Sequence, residues 1–100
     1  MIFVYITNPN LKTAKNIAKK LLEKRLIACA NIFPIKSLYW WKDKIEDSNE
    51  FVLIAKSLEK NFRKIIKEVR KIHPYEVPCI CRIRVKANKE FENWVRKEVR

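Results

Sequence analysis

The sequence contains no glycine in 100 residues. That absence removes both glycine-dependent phosphate cradles, the P-loop and the dinucleotide fingerprint, since each needs backbone that a Cβ would obstruct. Histidine occurs once, at His73, so triad chemistry is confined to that residue, and no serine has a His/Asp partner pattern. No apolar run approaches the roughly 20 residues that span a bilayer. The opening Met1-Ile2-Phe3-Val4-Tyr5-Ile6 lacks a basic segment and a small-residue cleavage site, so it reads as a strand rather than a signal peptide. Three cysteines, Cys29, Cys79 and Cys81, cannot all pair internally. An odd thiol count without a signal points to a reducing cytoplasm.

What is present describes one globular domain over residues 1–100, 48% hydrophobic and 34% charged. Abundant lysine and isoleucine with short loops is a bias of heat-adapted proteins. The net charge of +12 admits electrostatic binding to nucleic acid, but its placement favours a solvated coat. Lys12, Lys15, Lys19, Lys20 and Lys24 fall on the polar side of one helical pattern, and Lys60, Arg63, Lys64, Lys67, Arg70 and Lys71 on that of another.

Residues 2–7 read as a buried strand, and Asn8-Pro9-Asn10 as a turn and cap. Leu11, Ala14, Ile17, Ala18, Leu21 and Leu22 recur at helical spacing to about Arg25. Ala28 to Trp41 is extended and bent at Pro34; Lys42-Asp43-Lys44 turns the chain, and Ile45 to Lys56 returns as the second arm of a hairpin. Asp43 tolerates left-handed geometry better than most residues. Ser57 is positioned to cap a second helix with the stripe Leu58, Phe62, Ile65, Ile66, Val69 and Ile72. A strand to about Lys86 follows, then a short helix capped by Asn88 that would bury Phe91, Trp94 and Val95.

Between the second helix and the last strand lies His73-Pro74-Tyr75-Glu76-Val77-Pro78. Pro74 and Pro78 bias their predecessors to extended geometry, making a stiff elbow that holds an imidazole, a phenol and a carboxylate in place. The order β-α-β-β-α-β plus a C-terminal helix is an α+β, ferredoxin-like antiparallel sheet with both main helices on one face. The strands are apolar on both sides: Phe51, Leu53 and Ala55 alternate with Val52 and Ile54, and Ile2, Val4 and Ile6 with Phe3 and Tyr5. A second copy of the chain is the expected cover, with Tyr39, Trp40 and Trp41 on an intersubunit arm.

These segments together resemble the CutA family of divalent-cation tolerance proteins. The likeness runs through Thr7-Asn8-Pro9, Ala28-Cys29-Ala30-Asn31-Ile32, Ser37-Leu38-Tyr39-Trp40-Trp41, Lys44-Ile45-Glu46, Glu50, Lys56 and the proline elbow. The resemblance implies a tight homotrimer like that of the PII signalling proteins, a cytoplasmic setting, a link to copper and other divalent cations, and ligand clefts between subunits. It also implies departures. Copper ligands in some members are a first-strand cysteine and a histidine pair before the proline; here those positions hold Ile6 and Ile72, leaving only His73. The usual glycine of the hairpin turn is Asp43.

The metal candidates are His73 as a neutral imidazole, with Glu76 or a thiolate such as Cys29 completing the set for copper or another divalent cation. A single histidine per chain requires sharing across an interface, and the competing reading is a structural imidazole bonding the elbow. Cys79 and Cys81, two apart on a strand with Ile83 and Val85, read as buried small apolar residues. Tyr75, Glu50, Lys56 and Asn31 are cleft candidates; Glu50 and Lys56 could equally be a plain ion pair. Tyr39, Trp40 and Trp41 suit an interface better than ligand stacking. No nucleophile–base constellation marks an enzyme. The rival class is an RNA-recognition module of the same topology, hinted at by Val4-Tyr5-Ile6-Thr7-Asn8. Its third-strand motif requires glycine and a basic residue where this chain has Asn49-Glu50-Phe51-Val52-Leu53, so nucleic acid is not the expected partner.

Overall fold

A computed structural model describes residues 1–100. The elements are β1 (Ile2–Asn8), α1 (Leu11–Glu23), β2 (Cys29–Trp41), β3 (Lys44–Ser57), α2 (Phe62–Ile72), β4 (Ile80–Arg84) and α3 (Lys89–Glu98), with a single 3-10 turn at Glu59–Asn61 before α2. The four strands form one antiparallel sheet in the order β2-β3-β1-β4. This is the α+β, ferredoxin-like arrangement expected from the sequence.

Register decides which residues share a face. Ile2, Val4 and Ile6 lie opposite Ser57, Ala55 and Leu53. These residues are buried, and the apolar ones join Ile17, Leu21, Ile65 and Val69 of the helices in one core cluster. Phe3, Tyr5 and Thr7 take the other face, opposite Lys56, Ile54 and Val52. No helix covers that side, and Phe33 and Ile83 remain substantially exposed there. The pleat thus places apolar side chains on both faces.

Beyond Asn8, which pairs with Phe51, β1 offers no partner, and the hairpin continues alone from Ile35↔Glu50 to Trp41↔Lys44. The result is a two-stranded arm that stretches the molecule to 45 × 26 × 21 Å. Its tip is a two-residue turn with Lys42 at φ 49° and Asp43 at φ 63°. Both lie in the left-handed region that a right-twisting hairpin demands and glycine usually fills. Arg25, at φ 58°, does the same after α1. Its amide bonds Leu22 O and that of Leu26 bonds Leu21 O, the paired closure of a Schellman motif.

Several local expectations change. Asn10 caps α1 through Thr13 N–H as read, but Ser57 does not cap α2. Ser57 is the last residue of β3, and its hydroxyl donates to Leu26 O at 2.5 Å, because the buried loop carbonyl has first claim on it. Asn88 precedes α3 without a side-chain capping bond; Glu92 instead accepts from Ala87 N–H at 2.9 Å. In α3 Val95 is buried, Phe91 half-buried and Trp94 exposed, since the short helix touches the body along one edge. Cys79 precedes β4, and both Cys79 and Cys81 are exposed rather than buried, because the face that Cys81 shares with Tyr5 is uncovered in one chain. The last strand stops at Arg84, two residues short of the expected end.

Candidate functional site

The elbow begins where α2 must stop. Pro74 pushes His73 into extended geometry, φ −73° and ψ 132°, although the His73 amide still closes the helix on Val69 O at 2.8 Å. The imidazole is then held at both nitrogens. Nε2 lies 2.8 Å from Thr7 O, which can only accept, so Nε2 carries the hydrogen and donates. Nδ1 accepts the Tyr75 amide at 3.1 Å. One neutral tautomer satisfies both bonds and ties the elbow to the end of β1. The His73 and Tyr75 rings stack at a tilt, 4.9 Å between centroids.

With its amide pinned, Tyr75 reaches across the open face of the sheet. Its hydroxyl donates to Glu50 Oε2 at 2.5 Å, and Glu50 is 6% exposed. Burial first, then the bond to Glu50 and its negative charge, hold the Tyr75 phenol well above the usual tyrosine range. Although Cys79 is exposed at its surface, partial desolvation by the cavity wall raises its thiol, with smaller contributions from Cys81 and Glu50. The thiol is therefore a weak nucleophile at neutral pH.

These groups floor a cavity of about 800 Å³ between the elbow and the inner side of the arm. Tyr75, Glu76 and Cys79 come from the elbow side, Tyr5 and Thr7 from β1, Glu50 from β3, and Tyr39, Trp40 and Trp41 from β2. The fold thus gathers Glu50, Tyr75, Glu76 and the aromatic arm, and braces them with His73. Thr7, Tyr5 and Cys79 belong to the site but were not singled out for it. Strand alternation puts Tyr5 and Thr7 on one face and was a usable signal; the acceptor role of the Thr7 carbonyl left no trace in residue types.

Other candidates are not brought in. Cys29 pairs with Lys56, which is level with Phe3 at the far end of β1 from Thr7. Asn31 is exposed opposite Ile54. Glu50 and Lys56 form no ion pair with each other: Lys56 Nζ lies over the Phe3 ring at 5.5 Å and takes part in none of the salt bridges. No group of three or more His, Cys, Asp or Glu side chains is placed to hold a metal ion. His73, Glu76 and Cys29 therefore do not fit a mononuclear centre within one chain: both imidazole nitrogens are engaged, and the thiol lies at the opposite end of the sheet.

A family model described as CutA1 divalent ion tolerance protein matches residues 2–98. The chain belongs to the CutA1 family. The divalent-cation tolerance protein CutA of Thermotoga maritima is 47% identical over 100 residues, 99% of each chain. The solved structure of the periplasmic divalent cation tolerance protein CutA from Archaeoglobus fulgidus superposes with a TM-score of 0.96 at 48% identity, over 100% of both chains. The PII-like protein CutA from a Nostoc species, in apo form, gives a TM-score of 0.92 at 26% identity, over 100% of this chain and 98% of that one.

The family resemblance drawn from the elbow and hairpin is thus confirmed. The cytoplasmic setting inferred from the thiols is corrected, because the closely similar Archaeoglobus protein is described as periplasmic. An odd number of free thiols does not report a compartment: an oxidising setting makes disulfides only where two sulfurs meet in suitable geometry. No helix is long and apolar enough to cross a membrane.

Proposed function

We propose that this CutA1-family chain serves divalent-cation tolerance as a non-enzymatic homotrimer whose elbow cavity is a ligand cleft at the subunit boundary. The observation that carries the reading is the buried Glu50 carboxylate, held by Tyr75, on the floor of a cavity walled by an aromatic arm. Support for assembly comes from the uncovered sheet face and from Leu38, Trp40 and Ile45, exposed by 72%, 72% and 65% on the arm. Against an enzyme stands the engagement of the only imidazole, which leaves no base beside a nucleophile. Against RNA stands Phe51, which lies opposite the buried Asn8 on the helix side of the sheet, where no base can stack on it.

Copper is the metal this reading tests. An ion at His73 has to displace either the Tyr75 amide from Nδ1 or the proton that Nε2 gives to Thr7 O, which argues for weak binding there. Light scattering at micromolar concentration should return three chain masses; a monomer overturns the assembly. Calorimetric titration of the trimer with copper should give the same affinity for the parent and for His73→Ala. A loss of tight copper binding in that variant would make the imidazole a ligand after all.

A further inference from the structure

The chain buries two formally charged side chains, one of each sign. Glu50 is 6% exposed and Lys56 is 7% exposed. Both project from β3 on the face that no helix covers, opposite Ile35 in one case and Cys29 in the other. Neither belongs to any of the five salt bridges, whose members are all more exposed than these two. Glu50 has one hydrogen bond, from Tyr75, and Lys56 has only the Phe3 ring beneath its ammonium. A carboxylate and an ammonium on side chains this buried, each without a counter-ion in its own chain and reaching solvent only at its tip, are unfavourably placed.

The two cannot satisfy each other within a chain. They stand six positions apart on one strand, about 20 Å at the usual rise. They do have the arrangement that a head-to-tail contact needs: an acid at one end of the open face and a base at the other. In a closed ring each interface is heterologous, so the acidic end of one copy can meet the basic end of the next around the whole ring.

We infer that Glu50 of one copy is paired with Lys56 of the adjacent copy, so that the Glu50–Tyr75 floor of the elbow cavity is completed by a second subunit. This rests on the ring assembly proposed above and names the residue the neighbour contributes. Lys56 is the donor the structure singles out, because it is buried, whereas lysines on the arm such as Lys36 and Lys44 are exposed and lose nothing by staying in water. Tyr75 then orients the second lone-pair side of a carboxylate whose first partner is the incoming ammonium.

The test is a double-mutant cycle on assembly, read as the concentration at which the ring dissociates. Glu50→Gln and Lys56→Met should each raise that concentration tenfold or more, and the double variant should lose clearly less than the product of the two. The charge reversal Glu50→Lys with Lys56→Glu should recover much of the loss. Separation of about 20 Å within a chain means that such coupling arises between copies. Independent single effects in a ring that still forms would overturn the pairing while leaving the assembly standing; a monomeric parent would overturn the assembly itself. A second measurement needs no variant. In rings mixed from nitrogen-15 and carbon-13 labelled chains, a solid-state contact between Lys56 Nζ and Glu50 Cδ arises only across an interface, and its absence in an intact ring rejects the proposal.

Discussion

His73 donates from Nε2 to the carbonyl of Thr7 at 2.8 Å, joining residues 66 positions apart. The same ring accepts from Tyr75 N–H, so one side chain fixes both where the elbow lies and how it turns. His73→Ala removes the partner of a carbonyl and of an amide together and should cost about 2–4 kcal/mol. Glu76→Ala, on the exposed rim, should stay within about 0.5 kcal/mol. Urea unfolding of both variants checks the contrast; equal effects would mean that the ring does not brace the elbow.

Tyr75 should titrate late. Burial and the Glu50 carboxylate raise its folded pKa, so its contribution to stability is complete below the unfolded value of about 10 and declines as pH rises beyond it. Ultraviolet difference spectra should show one of the three tyrosines resisting ionisation until the fold opens. Tyr75→Phe should remove that late step. If all three titrate near pH 10, the phenol is not held by Glu50.

Much of this was legible in the residues. Alternation along Ile2–Asn8 and Phe51–Ala55 predicted both the core and an uncovered second face, because strand period two leaves little choice once one face is buried. The two prolines located the elbow. Exact partners were not legible: Tyr75 meets Glu50 only because the elbow folds back over the open face, which residue types do not show. Ser57 has the chemistry of a helix cap and serves a loop carbonyl instead, a competition decided by tertiary contact. The thiols of Cys79 and Cys81 misled for a similar reason, since apolar neighbours along a strand do not tell whether anything covers them.

The hairpin tip offers a gain. Lys42 and Asp43 both take positive φ, which costs residues with a Cβ and suits Asn-Gly. Lys42→Asn with Asp43→Gly should stabilise the fold by about 1 kcal/mol, measured by chemical denaturation. Destabilisation would show that the turn side chains make contacts worth more than the relieved backbone.

Glu92 sets part of the acid limit. The Ala87 amide, its strongest influence, lowers its folded pKa, with Lys86 and Arg96 among the nearby charges acting in the same sense. A depressed carboxylate contributes above its unfolded value, about 4.3, and that contribution is lost as pH falls through the folded value. Glu92→Gln should therefore be less stable than the parent at neutral pH and lose less on acidification. Parallel pH–stability curves for the two proteins would reject the role.

The arm supplies the sharpest separation of fold from assembly. Trp40 lies opposite Ile45, and both project into solvent in one chain together with Leu38. Side chains so exposed add little to the subunit's own stability, whereas a buried tryptophan anchor commonly contributes about 2 kcal/mol or more to an interface. Trp40→Lys with Ile45→Lys should leave the subunit's circular dichroism unchanged and shift its mass in light scattering to that of a single chain. Because Trp40 and Trp41 also wall the cavity, the resulting monomer should lose any ligand affinity that the trimer shows. A variant that remains trimeric would move the interface off the arm and onto the open sheet face alone.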